Sequence, residues 1–169
     1  MLLFDAGLER SVWELRQRLA AAGIAPSDGR PHVTLVVASE LDTQAFGDAL
    51  APFAVGTPSF PLHFGAVGSF PGDEGVAFLS PAPTEPLLHF HHRALIALLR
   101  AGAEPSPWSV PGVWMPHCTL AQGAFQPQAA LEVARSAMPE SLSGWGHSVA
   151  LMQFPEATVL WEYALSGAA

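Results

Sequence analysis

The chain contains no lysine, a single cysteine and a single tyrosine in 169 residues. One cysteine, Cys118, excludes an intramolecular disulfide framework and fits a reducing compartment. No run of about 18 apolar residues occurs, which excludes a spanning helix of ordinary length. The opening Met1-Leu2-Leu3-Phe4-Asp5 carries no basic segment, and Asp5 interrupts the apolar run before a secretory leader could form. These absences lead us to expect a soluble, cytoplasmic monomer with no membrane partner. The missing lysine excludes more. Seven arginines stand against 15 acidic residues, a net charge of −8. Sequence-independent binding to long nucleic acid draws its affinity from phosphate neutralisation, so long backbone tracking is excluded. A local cationic pocket is not.

Half of the residues are hydrophobic, enough for one domain with a substantial core and too few residues for two comfortable ones. Leu8, Val12, Leu15 and Leu19 recur at helical spacing, and Gly23 supplies a stop, predicting a helix over 8–22. A β-branched run predicts a strand over 31–38. Asp42 or Thr43 caps a helix reaching about Phe53. Phe60, Leu62, Phe64 and Ala66 alternate, predicting a strand over 59–70. A turn over 71–75 leads to a partner strand over 76–80. The order then repeats: a helix over 85–101 with Leu88, Leu95 and Leu99 as its stripe, a Pro/Ser-rich connector over 104–111, a strand over 114–120, a helix over 127–138, and strands over 145–154 and 158–165 about a turn at 155–157. Each half reads helix, strand, helix, strand, strand. The expected fold is therefore α+β: a bilobal duplicated repeat, with mostly antiparallel sheets around a central cleft. The whole chain, 1–169, forms one domain, with pseudo-symmetric lobes of roughly 1–83 and 84–169.

The chemistry sits in one repeated motif. Pro31-His32-Val33-Thr34-Leu35 returns as Pro116-His117-Cys118-Thr119-Leu120, at the equivalent place in each half. Side chains alternate faces along a strand, so His32 and Thr34 share one face while Val33 and Leu35 share the other. The second copy sets His117 and Thr119 apart from Cys118 and Leu120 in the same way. Two imidazoles and two hydroxyls converging on one cleft suit phosphodiester chemistry without metal. One histidine serves as base toward the attacking oxygen, the other as acid toward the leaving oxygen. The hydroxyls donate to the non-bridging oxygens, where negative charge gathers.

These paired His-x-Thr strands resemble the 2H phosphoesterase superfamily, and within it the bacterial 2'-5' RNA ligase and 2',3'-cyclic phosphodiesterase branch. The resemblance covers nearly the whole chain, including the strand Phe60 to Phe70 with its Pro-Gly turn and the closing hairpin with Tyr163. It implies a bilobal fold, no metal, no other cofactor and no nucleoside triphosphate. The implied reaction is at 2',3'-cyclic phosphate ends: hydrolysis to a 2'-phosphate, or reversible joining to a 5'-hydroxyl. The residues carried over are His32, Thr34, His117 and Thr119. Relatives commonly place an arginine three positions after the second threonine, where this chain has Gln122. With few cations overall, that departure favours a small cyclic-phosphate nucleotide or a short RNA end over a long polynucleotide. Arg30 shares parity with His32 and Thr34 and is a candidate phosphate-facing cation. Gln122 and Trp114 complete the candidate substrate-binding set.

Other readings of the same cleft are a phosphodiesterase for another small cyclic phosphate, such as an ADP-ribose derivative, or a non-catalytic module holding a phosphorylated ligand. Two complete acid/base motifs weigh against the module. His89, His91 and His92 have no acidic or cysteine partner at ligand spacing and are expected on a partly exposed helix face rather than around a metal. His63 and His147 fall in corresponding strands but match only in one register, so neither joins the catalytic set. By parity Trp114 faces the core, and Cys118 is a small core residue rather than a nucleophile.

Overall fold

The computed structural model describes residues 1–70, 75–123, 127–138, 140–154 and 158–167; most of the turn expected at 71–75, and all of that at 155–157, lies outside them. In chain order the elements are β1 (Leu2–Phe4), α1 (Ala6–Ala21), β2 (His32–Val33), α2 (Thr43–Val55), β3 (Phe60–Ser69), β4 (Gly75–Pro81), α3 (Glu85–Arg100), β5 (Cys118–Gly123), α4 (Pro127–Ala137), β6 (Leu142–Gln153) and β7 (Thr158–Ala164), with a short 3-10 turn at Pro107–Ser109. The Asp5 carboxylate caps α1 by accepting from the N–H groups of Gly7 and Leu8, and Asp42 caps α2 through Ala45. After α1 the chain turns at Gly23, whose φ of 78° is left-handed backbone that glycine adopts without strain.

All strands pair antiparallel in one sheet of order β2-β1-β6-β3-β4-β5, with β7 joined to β6. Strand β1 is the element that the sequence pattern does not reveal. It changes where the repeat is cut. With β1 included, the two units read strand, helix, strand, helix, strand: β1-α1-β2-α2-β3 and β4-α3-β5-α4-β6. Each unit pairs its first two strands, β1 with β2 and β4 with β5, and their third strands pair with each other. Strand β6 of the second unit lies between β1 and β3 of the first. The helices obey the same symmetry, α1 packing on α4 and α2 on α3.

One hydrophobic core joins sheet and helices. Leu8, Val12, Leu15 and Leu19 of α1 are buried as their spacing predicts. The stripe expected on α3 is corrected. Leu88 and Leu99 are about half exposed, and the buried face runs through Leu87, Phe90, His91, Ala94 and Leu98, with Leu95 beside it. Phe90 decides this rotation, because it packs against Phe53 and Phe60 with ring centroids 4.7 and 5.4 Å away.

Strand β2 has only two residues because β1 offers it only two partners, Leu2 opposite Val33 and Leu3 opposite His32. Beyond Val33 the backbone groups are satisfied by the connector before β5 instead of by a ladder. The Thr34 carbonyl accepts from the Trp114 indole at 3.0 Å. The Val37 N–H reaches the Ser109 hydroxyl at 3.0 Å, and its carbonyl accepts from Ser106 at 2.7 Å. Strand β5 in turn begins later than the pattern suggests and runs on to Gly123, following its pairing with β4.

Candidate active site

The two motif strands stand at opposite ends of the strand order, and the sheet curls until they meet. The His32 backbone N–H points at the Cys118 sulfur, Ser27 donates to the Leu120 carbonyl at 2.9 Å, and Trp114 reaches Thr34 as above. His32, Thr34, His117 and Thr119 are all partly buried, whereas Val33, Leu35, Cys118 and Leu120 are buried. That is the alternation expected of two strands with one face in the core.

Both imidazoles are held alike. His32 Nδ1 lies 2.7 Å from the carbonyl of Arg30, and His117 Nδ1 lies 2.8 Å from that of Met115, in each case two residues back. A carbonyl only accepts, so each Nδ1 carries a proton and each neutral ring keeps its lone pair on Nε2. The environments then diverge. Burial pushes the His32 pKa down from 6.5 to about 4; the Arg30 carbonyl opposes this, while the Met1 amine, Arg16 and His117 reinforce it. His117 meets two aromatic rings instead, Phe70 edge-on at 4.9 Å and Phe78 at 5.4 Å.

Two expected results follow. An unfolded chain takes up a proton on His32 as the pH falls below about 6.5, whereas the folded protein resists until about 4. The contribution of His32 to stability is therefore intact above pH 6.5 and lost on acidification through that window, on the order of 2–3 kcal/mol in all. Urea unfolding of wild type and His32→Gln at pH 7.5 and pH 4 should show a smaller acid loss in the variant; equal losses would mean that His32 is not desolvated. The second result concerns Gly68. A Cβ there would lie 2.8 Å from the Phe78 ring, which is buried and packs on His117. Gly68→Val should displace that ring and lower turnover by about 10- to 100-fold. Thermal unfolding run in parallel would separate this from global loss of fold.

Arg30 sits beside the motif but is paired. Its Nε donates to Glu9 at 3.0 Å and its NH1 to Glu162 at 2.9 Å; burial acts to lower its pKa, and the two carboxylates together raise it. In β5, Leu120 and Ala121 are both buried at a bulge opposite β4, which returns exposed Gln122 to the face of Thr119. Trp114 is half-buried against the core, with one face stacked on His91 at 3.9 Å. His91 is the correction within the histidine cluster: it is 3 % exposed and bonded to the Ser109 carbonyl at 2.9 Å, while His89 and His92 remain exposed. Among the described residues no group of three or more His, Cys, Asp or Glu side chains could hold a metal ion. Burial pushes the Cys118 thiol up to about 11, which keeps it protonated. His63 lies on the exposed face of β3, bonded to Ser143 at 2.8 Å. No helix among the described residues is long and apolar enough to cross a membrane.

One residue that positions the site escapes the motif reading. Arg16 is 2 % exposed. Its guanidinium donates to the Gly29 carbonyl, two residues before Pro31, and to the Thr119 carbonyl at 2.7 Å. It also lies over the Trp13 ring at 4.7 Å. It therefore ties the two motifs together from beneath. The available signal was its place on the stripe of α1, four positions after Val12, where a charged residue needs a partner.

A curled antiparallel sheet with a His-x-Thr strand at each end defines a two-histidine architecture. The family model of the 2'-5' RNA ligase superfamily matches residues 5–157, and the chain belongs to that family. No curated protein matches it in sequence. Among solved structures it is similar to E. coli LigT in apo form, with 17 % identity, coverage of 97 % of this chain and 94 % of LigT, and a TM-score of 0.67. It is equally similar to the TT0787 protein of Thermus thermophilus, at 16 % identity, 99 % and 97 % coverage and a TM-score of 0.67. E. coli LigT complexed with 3'-AMP aligns at 18 % identity, 98 % and 94 % coverage and a TM-score of 0.63. At these identities the likeness is one of fold.

Proposed function

We propose that the protein is a metal-independent phosphoesterase that opens 2',3'-cyclic phosphates of nucleotides or short RNA ends to 2'-phosphates. The observation that carries this reading is the matched pair of imidazoles, each clamped through Nδ1 to the carbonyl two residues back. Such a pair supplies one base and one acid with no further group. His32, kept neutral by burial, takes the proton of the attacking water at Nε2. Water oxygen bonds to phosphorus, the bond to the 3'-oxygen breaks, and protonated His117 delivers its Nε2 proton to that leaving oxygen. Thr34 and Thr119 donate hydrogen bonds to the non-bridging oxygens. The binding of 3'-AMP by LigT supports a nucleotide-sized ligand, and the net charge of −8 supports a short one.

The test is incubation with 2',3'-cyclic AMP, its three base analogues and a short cyclic-phosphate RNA in EDTA, with the products separated by chromatography. The expected result is a 2'-phosphate from the mononucleotides at a rate at least equal to that from RNA. Turnover that requires a divalent ion, or no turnover of any cyclic phosphate, would overturn the reading.

A further inference from the structure

Beside His32 and Thr34 opens a pocket of about 420 Å³ that does not extend to His117 or Thr119. It runs under the segment that follows β2, between α2, α3 and the β6–β7 pair. Its volume is that of a small-molecule site, in a range of about 300–1,000 Å³. The lining has two properties that bear on the ligand. Among the described residues no Asp, Glu, Lys or Arg side chain reaches it; Val36, Leu41, Phe46, Leu151, Met152 and Leu160 form an apolar part of the wall, and Thr34, Ser39, Thr43, Gln153 and the Met1 amine, which is held to the Ala150 carbonyl, add polar groups. A carboxylate or second phosphate placed in such a pocket would lose its hydration with no Lys or Arg side chain to replace it, whereas an aryl or alkyl group would leave water for the apolar part of the wall.

We infer that this pocket binds the uncharged, apolar alcohol portion of the phosphate ester whose phosphate lies between the two motifs. The inference rests on the phosphoesterase reading and adds a direction to it. The hydrophobic group of the substrate lies on the His32 side, and a second phosphate or a carboxylate is rejected there. The apolar part of the wall also accepts hydrocarbon or aryl groups with no hydrogen-bonding edge, so nucleotides need not be the best ligands.

Calorimetric titration tests this without turnover, using inorganic phosphate, phenyl phosphate and 4-carboxyphenyl phosphate as probes. Phenyl phosphate should bind at least about tenfold tighter than inorganic phosphate, a modest gain for an apolar group entering an apolar pocket. The carboxylated analogue should have no such advantage. Leu160→Arg, at a side chain 38 % exposed on β7, should bring the phenyl phosphate affinity down toward that of inorganic phosphate. Ala38→Phe, which fills the pocket from its other wall, should do the same. Equal affinity for phosphate and phenyl phosphate in the wild type, or an advantage that survives both substitutions, would overturn the inference while the cyclic phosphodiesterase assay still stood. If none of the three anions binds and cyclic phosphates are not turned over, the phosphate site itself fails and the pocket assignment falls with it.

Discussion

Replacing His117 by alanine should lower turnover of 2',3'-cyclic nucleotides by about 10²–10⁴-fold, and replacing His32 should do the same. Each ring has one nitrogen occupied by a backbone carbonyl and one free for the reacting atoms, so neither can stand in for the other from its own position. The roles are coupled: removing the base leaves the acid with no developing leaving group to protonate. The double substitution should therefore be little worse than either single one. Thr34→Ala and Thr119→Ala each remove one donor to a phosphoryl oxygen and should cost less, on the order of 10²-fold. Steady-state rates with purified, folded variants check all five. A His117→Ala protein with near-normal rates would end the two-histidine mechanism. The rate should also rise with pH through about 4 as His32 loses its proton, which places the acid limb well below that of an ordinary histidine.

Arg16→Met is expected to be the most damaging substitution outside the motifs. Methionine fills the apolar space but leaves the Gly29 and Thr119 carbonyls without their donor. A loss of roughly 2–5 kcal/mol in unfolding free energy should follow. Two further effects distinguish positioning of the site from mere support. The two motifs lose the link between them, so kcat should fall in protein that remains folded. Removing a positive charge near His32 also eases its protonation, so the acid limb should move upward. Unchanged stability and an unmoved limb would show that Arg16 ties nothing together.

The catalytic candidates were legible because they depend on period two alone. His32 and Thr34 need only alternate with Val33 and Leu35, and the second copy repeats the pattern. What failed to show were features set by partners far away in sequence. Leu2-Leu3-Phe4 is buried throughout and lacks alternation, so nothing local marks it as a strand; β6, nearly 150 residues on, makes it one. The early end of β2 follows from side chains and amides of the connector, whose Pro/Ser composition reads as mere linker. The α3 stripe was misplaced because leucines occur on both faces, and packing on Phe53 and Phe60 rather than composition selected the buried one. Arg30 shares parity with the motif, yet Glu9 and Glu162 hold its guanidinium, and neither is near it in sequence.

The place of β1 between β2 and β6 has a consequence for how the protein is made. Leu3 leaves the ribosome among the first residues of this sequence, yet its partner Ser148 follows on the order of ten seconds later at about 5–20 residues per second. Until then β1 has only the two-residue β2 beside it, and the β1–β2 pair that carries His32 has no sheet to join. Helices α1 to α4 can form early from local contacts, but the sheet closes only when β6 arrives. Long-range pairing of this kind slows folding. The two motifs thus come together only when β6 joins the β1–β2 pair to β3, β4 and β5.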